Sequence, residues 1–439
     1  MLTLQSSWLA TRKHIPEVCF RQSSPCATTL YKLDAFPYPD TDTLRVNEAT
    51  SFTRHTSQLQ IKRCAVPMLH QSRNRHSNDS QPKIQSTLMT NALQSLIDTG
   101  TKLYLDSVAP DEVDKNLAWG AVGATSNPAI ISAIVEHGGL DDELESLIAT
   151  GLDDESVAWR LTDNLVTHAE KKFQPIHTKT NGNAGWVSFE LDPLLEDAEL
   201  GLSDHDRTAH YIDLGKHYAQ GHCNRMIKVP ATPAGIAALE ELAAAGVTLN
   251  VTLIFTAEQY TKAREAVWRG AQRRTSLTDF KSVYSIFISR IDVYTEQEIQ
   301  HLRPEAQGLV GILNAKRVWQ ANQNFWNDKG LKLQQELIFA STGTKKSSDP
   351  AWKYVEALAG SDIQTNPPET NAAVASSDIE FCRTVDVMPT LEIQQEIDSK
   401  VDMQTMHDVL MKQGVAKFVK PQRALLSLIA RKRGELSKS

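Results

Sequence analysis

From Met89 onward the chain alternates short apolar runs with longer amphipathic segments, and few folds accommodate that rhythm. Eight runs read as strands, at 102–105, 120–124, 185–191, 225–229, 248–255, 283–291, 336–340 and 362–365. Between them, stretches such as 235–245 and 257–273 carry apolar residues at helical spacing, the second preceded by Thr256 in the position of an N-cap. Strands separated by helices pair in parallel, so the pattern predicts an α/β fold, a (β/α)8 TIM barrel with extra helices at the C-terminus. Its active site would lie at the C-terminal strand ends. A doubly wound open sheet is the alternative, but no G-x-G-x-x-G turn follows a strand, and GTKKSS at 343–348 holds only fragments of a phosphate loop. The tail, about 391–439, reads as helices with basic ends such as Arg431-Lys432-Arg433 that cover the barrel.

Residues 1–88 follow a different rule. They hold 11 Lys and Arg against 6 Asp and Glu, whereas the remainder holds 35 against 47. They are rich in Ser, Thr, Gln, Asn and His, contain Pro16, Pro25, Pro37, Pro39, Pro67 and Pro82, and show no sustained period, which predicts a disordered leader. A transit peptide would be poor in acids, and Asp34, Asp40, Asp42 and Glu48 count against one. A start at Met89, where a helical pattern begins at once, is the favoured reading, with a flexible natural tail as the third.

Composition removes whole classes of function. With 46 basic and 53 acidic residues the net charge is -7, so no global basic field attracts nucleic acid or an anionic bilayer. No run reaches the ~18 apolar residues of a membrane-spanning helix, and the N-terminus lacks a secretory signal. The five cysteines form no Cys-x-x-Cys pair and no disulfide framework, which points to a reducing, cytoplasmic setting unless 1–88 is a genuine transit peptide.

A strand covered on both faces should be almost continuously apolar, yet polar residues recur near the strand ends here. Asp106 follows LYL, Asn127 follows GATS, Glu190 follows WVSF, and Lys228 sits in MIKVP. Asn250 and Thr252 alternate in LNVTLIF, Ser285, Phe287 and Arg290 lie along YSIFISR, and Ser341 ends LIFAS. Lys228 stands among Met226, Ile227, Val229 and Pro230. Burial favours the neutral form of an amine, and a neutral amine attacks carbonyls to give an imine that accepts electrons. The alternative is a salt-bridged or snorkelling barrel lysine.

Asp106 and Glu190 are candidate proton carriers for that chemistry; pairing with Lys228 or capping the next helix are the structural alternatives. Asn127, Asn250 and Thr252 offer uncharged donors and acceptors to a polyhydroxylated substrate, or serve the core. The sequon Asn250-Val251-Thr252 lies in a strand and reads as a false glycosylation match. Arg290 and Lys345 suit a phosphate, against a pair with Asp292 for the first and a solvated loop charge for the second. His205, His210, His217 and His222 have no metal-ligand spacing, and no cofactor is required.

Taken together, LYLDS, GATSNPAII, GWVSFELDPLL, NRMIKVPATPAGI, GVTLNVTLIFTAEQY, SVYSIFISRID, ASTGTK and IQTNPPET, in that order over about 91–421, resemble the transaldolase family, in its longer bacterial branch. The resemblance implies cofactor-independent, ping-pong transfer of a dihydroxyacetone unit. The donor is sedoheptulose 7-phosphate or fructose 6-phosphate, the acceptor erythrose 4-phosphate or glyceraldehyde 3-phosphate, in the non-oxidative pentose phosphate pathway. It implies Lys228 as the Schiff-base lysine, Asp106 as the proton carrier for carbon–carbon cleavage, and Glu190 acting through a water held with Thr252. Asn127 and Asn250 would hold the dihydroxyacetone hydroxyls with Ser285 nearby, Phe287 would shape the pocket, and Arg290 and Ser341 would grip the phosphate.

Where many family members have an arginine two residues beyond that serine, this chain has Gly343, and Lys345 stands in as a substitute. KKSSDPAW, the Thr365-Asn366-Pro367 turn and an additional stretch at 370–386 also depart from the family pattern. The partners implied are sugar phosphates alone, with the chain a monomer or homodimer. Two rivals are a related fructose-6-phosphate aldolase, which would release dihydroxyacetone rather than transfer it, and a silent sugar-phosphate-binding barrel. The first is disfavoured by the length of the chain and by Glu190, the second by the presence of Lys228 and both carboxylates.

Overall fold

The structure is a computed structural model and describes residues 92–436 of the chain. The leader expected over 1–88 and the start expected at Met89 lie outside the described residues. Eight parallel strands close on themselves in sequence order: β1 (Lys102–Leu105), β2 (Ala124–Thr125), β3 (Val187–Glu190), β4 (Arg225–Pro230), β5 (Leu249–Ile254), β6 (Ser282–Phe287), β7 (Glu336–Ala340) and β8 (Ile363–Asn366). Closure runs through β1 and β8, with Leu105 opposite Asn366, so no strand edge is left open. The TIM barrel expected from the alternation is therefore the fold, and the open sheet is excluded.

Helices α1 (Ala92–Asp98), α2 (Pro110–Ala118), α3 (Pro128–Glu136), α4 (Asp141–Ala149), α5 (Asp154–Lys179), α6 (Asp204–Ala219), α7 (Pro233–Ala244) and α8 (Ala257–Gln272) come in chain order around or beside the first five strands. Then follow α9 (Ser289–Glu298), α10 (Val310–Trp326), α11 (Lys353–Ala357), α12 (Pro368–Ala375), α13 (Leu391–Lys400) and α14 (Met403–Leu436). Thr256 caps α8 as expected, its side chain accepting from the Gln259 amide, and Thr232 caps α7 through the Gly235 amide.

Two core layers result. Val187, Phe189, Ile227, Val229, Leu249 and Val251 face the helices, while Tyr104, Trp186, Met226, Val283 and Ile338 fill the barrel. Gly123 makes the inner layer feasible: a Cβ there would stand 2.3 Å from the Tyr104 ring and 2.7 Å from the Trp186 carbonyl oxygen. At the opposite end from the site, Glu336 lies 2.7 Å from Lys102 and 2.5 Å from Lys281, which plugs the bottom of the barrel with a paired charge.

Two strands depart from expectation by more than two residues at one end, the others by one or two at most. The run at 283–291 does not remain extended: β6 ends at Phe287 and α9 begins at Ser289, which puts Arg290 on the first turn of a helix. The run at 120–124 yields only Ala124–Thr125, because Gly120 turns left-handed at φ 95° before the pairing begins. The additional stretch at 370–386 holds most of α12 and a following segment tied down by hydrogen bonds from Lys316 to the Thr384 and Val387 carbonyls. α14 spans the tail and fastens its far end through Arg423 to Asp197 at 2.7 Å and Arg433 to Asp154 at 2.7 Å.

Candidate active site

Strand register brings the central residues to one level. Glu190 on β3 is opposite Lys228 on β4, which is opposite Asn250 on β5. Asp106 stands one residue past β1, its amide donating to the Asn366 carbonyl at 2.8 Å. Asp106 and Glu190 thus lie at the C-terminal ends of their strands and Lys228 in the C-terminal half of β4, while Asn250 is the second residue of β5.

Lys228 is 5% exposed. Its Nζ donates to the Ser126 carbonyl at 3.0 Å and lies 3.1 Å from Glu190 Oε2. Ser126 is itself held by its hydroxyl, which donates to the Ser188 carbonyl at 2.7 Å. The salt-bridged barrel lysine weighed above is thus present as geometry, and the pair stands at the candidate site. Among the described residues, Lys228 is the one cation within ion-pairing distance of Glu190 Oε2, which places a proton acceptor beside the ammonium.

Both carboxyls are perturbed upward. Burial pushes Glu190 above the ordinary carboxyl range, Lys228 opposing and Asp106 adding. Burial likewise raises Asp106, against the pull of Lys228 and of the Thr125 hydroxyl, which donates to Asp106 Oδ1 at 2.7 Å. Thr365 Oγ lies 2.7 Å from Thr125 Oγ and extends that chain. Helix capping explains neither acid: α2 starts after Ala109 without a side-chain cap, and the 3-10 turn Pro193–Glu196 is capped by Asp192. Two acids poised to exchange protons beside one amine can carry the steps of imine and carbon–carbon chemistry.

The uncharged residues divide. Asn250 is fully buried, its amide donating to Ser188 Oγ at 2.9 Å and its carbonyl accepting from Ser285 Oγ at 2.8 Å, so Ser285 reaches the site through Asn250. Burial of Asn250 also removes it as a glycosylation acceptor in the folded protein. Thr252 is fully buried and its hydroxyl has no hydrogen-bond partner; the next residue, Leu253, has φ 58°, beside a register shift between β5 and β6. Asn127 caps α3, its oxygen accepting from the Ile130 amide at 3.1 Å, which leaves its NH2 to meet a ligand.

On the far side, Arg290 does not pair with Asp292, whose carboxylate instead accepts from the Gly311 amide at 2.8 Å. The guanidinium lies 5.0 Å from the Phe287 ring centre and 6.0 Å from that of Phe418, with Nη1 buried and unbonded. Burial lowers its pKa, and Asp106 and Glu190 oppose the shift. Phe287 also packs edge-on against Phe255. Ser341, just past β7 with φ 56°, places its Oγ 2.8 Å from Ser289 Oγ. Lys345 is exposed, and its Nζ is 3.8 Å from where a Cβ on Gly343 would stand. The structure therefore brings Glu190, Lys228, Asn250 and Ser285 together across β3–β6, with Asp106 acting electrostatically on Lys228 and Glu190. Arg290, Phe287, Ser341 and Lys345 lie on the β6–β7 side.

Sequence reasoning missed Ser126, Thr125, Thr365, Ser289 and Phe418. Ser126 acts through its carbonyl, which carries no sequence signal, and Phe418 comes from a helix far along the chain, its ring centre 5.8 Å from Lys228 Nζ. Of the histidines, His222 pairs with Glu170 at 2.7 Å, while His205, His210 and His217 lie on α6. Among the described residues no group of three metal-ligating side chains converges, and no helix is long and apolar enough to cross a membrane.

A closed parallel barrel with one buried lysine between two perturbed acids at its C-terminal end defines the class: a (β/α)8-barrel enzyme. The chain belongs to the transaldolase/fructose-6-phosphate aldolase family, whose sequence profile matches residues 103–429. It is 31% identical over 363 residues to a transaldolase of Saccharopolyspora erythraea, covering 77% of this chain and 96% of that protein. It is 29% identical over 379 residues to transaldolase 2 of a Nostoc strain, covering 77% and 96%. With transaldolase 2 of Streptomyces avermitilis it shares 32% identity over 314 residues, covering 65% and 82%.

Proposed function

We propose that the protein is a transaldolase, a transferase that moves a dihydroxyacetone unit between sugar phosphates through a Schiff base on Lys228. The observation that carries the reading is the Lys228–Glu190 pair, with Asp106 raised beside it. Glu190 takes a proton from the Lys228 ammonium, and the free amine adds to the donor ketone at C2. The carbinolamine loses water as Glu190 returns a proton through a water held with Thr252, leaving an iminium. Asp106 then takes the proton of the C4 hydroxyl, the C3–C4 bond breaks, its electrons enter the iminium, and the aldose phosphate leaves.

The three-carbon unit waits as the enamine, with Asn127 and Asn250 on its hydroxyls. An acceptor aldehyde takes the new carbon–carbon bond, Asp106 returns the proton, and water releases the ketose with Glu190 again as proton carrier. Arg290, Ser341 and Lys345 bind the phosphate, and Phe287 shapes the wall. The reaction belongs in the cytoplasm, where its sugar phosphates are found.

The test is a transfer assay with fructose 6-phosphate and erythrose 4-phosphate. The expected outcome is sedoheptulose 7-phosphate and glyceraldehyde 3-phosphate in equal amounts, with little turnover when the acceptor is omitted. Rapid acceptor-independent release of dihydroxyacetone would make the protein an aldolase instead.

A further inference from the structure

Helix α14 crosses the mouth of the barrel. A Cβ built on Gly414 would stand 3.2 Å from Leu253 and 3.5 Å from Phe255, which seats the helix on the top of β5. One turn later Phe418 is buried near both Lys228 and Arg290. The residue before it, Lys417, is exposed at the rim. We propose that Lys417, carried by α14, is a third ligand of the substrate phosphate, completing a cationic pocket with Arg290 and Lys345. The inference rests on the sugar-phosphate reading above.

Three observations support it. Among the described residues, none of Arg290, Lys345 and Lys417 lies within ion-pairing distance of a carboxylate, whereas the neighbouring Lys346 is paired with Glu296. Nor are the three isolated from one another: partial burial lowers the Lys417 ammonium, and the like charges of Arg290 and Lys345 lower it further. Finally, the geometry of α14 sets Lys417 at this end of the barrel: Gly414, one turn before, sits on Leu253 and Phe255, and the ring of Phe418, the next residue, lies 6.0 Å from the Arg290 guanidinium. Like charges gathered with no carboxylate in ion-pairing contact repel, Asp106 and Glu190 acting on Arg290 only at longer range, and a phosphate dianion relieves that repulsion while meeting point-charge donors on several sides.

The site accepts the phosphate monoester group, whether on a sugar or as the free ion. The test uses the full chain with Lys417→Gln, Lys417→Arg and, as a control elsewhere on α14, Lys412→Gln. Lys417→Gln is expected to lower kcat/KM for fructose 6-phosphate about 10- to 100-fold relative to that for unphosphorylated fructose, chiefly through KM. Inhibition by inorganic phosphate should weaken by a similar factor. Lys417→Arg should restore most of both, and Lys412→Gln should match the wild type. If Lys417→Gln keeps KM and phosphate inhibition within about twofold of wild type, the proposal is overturned while the transfer reading stands. If the wild type turns over no fructose 6-phosphate, the transfer reading fails, and calorimetric titration with inorganic phosphate still decides: weaker binding to Lys417→Gln supports the pocket, equal binding overturns it.

Discussion

Replacing Lys228 by Met isolates the electrostatics of the site from its chemistry. Glu190 then loses the attraction that opposes its burial, while desolvation and the repulsion of Asp106 remain, so its carboxyl rises further. Breaking a buried ion pair by removing one partner costs about 3–5 kcal/mol, because the remaining charge is left uncompensated, and protonating Glu190 at lower pH relieves part of that cost. The Ser126 carbonyl also loses its donor, a pH-independent cost of about 1 kcal/mol. The sign follows from linkage: a pKa above its unfolded value means the folded state holds the extra proton, so stability falls as pH rises through the folded value. With an unfolding entropy of roughly 0.7 kcal/mol per kelvin for a barrel of about 350 residues, the two losses together should lower Tm by about 5–8 °C at pH 7, and by less at pH 5. Scanning calorimetry of variant and wild type at each pH reads the difference directly. Equal losses at the two pH values would refute the claim that Lys228 is the charged partner of Glu190.

Two further perturbations probe separate parts of the account. Asp106→Asn should lower turnover by about 10²- to 10⁴-fold while imine formation survives, so borohydride should trap the whole donor sugar on the protein rather than a three-carbon fragment, as peptide mass mapping would register. Gly123→Ala drives a methyl group into the Tyr104 ring and the Trp186 carbonyl, and is expected to cost about 1–3 kcal/mol or more; an unchanged Tm would mean that the inner layer is looser than its geometry.

The fold was legible in the sequence because parallel strands buried on both faces leave continuous apolar runs, and the same rule made Lys228 and Glu190 conspicuous. It failed where apolar character outlasts the strand. Ile288 and Ile291 continue the hydrophobic run of β6, yet they are buried from the N-cap and first turn of α9, and so Arg290 gained a different setting from the one expected. Gly120 and Gly123 hid the brevity of β2 for the opposite reason, since a glycine's backbone freedom and lack of a side chain leave no periodic trace. The roof of the site was legible only as helices covering the barrel, not in the residues it brings. Which face of the 34-residue α14 covers the barrel is set by contacts with Leu253, Asp197 and Asp154, hundreds of positions or many turns away, so nothing local distinguishes Phe418 or Lys417 from the rest of the helix.

The central claim is that Lys228 becomes covalently joined to the donor. Borohydride reduction of the protein incubated with fructose 6-phosphate, followed by peptide mapping, tests it in one step. The account expects a three-carbon adduct on Lys228, absent from Lys228→Met and diminished by erythrose 4-phosphate. Transfer activity accompanied by an adduct on another lysine, or by none, would contradict it.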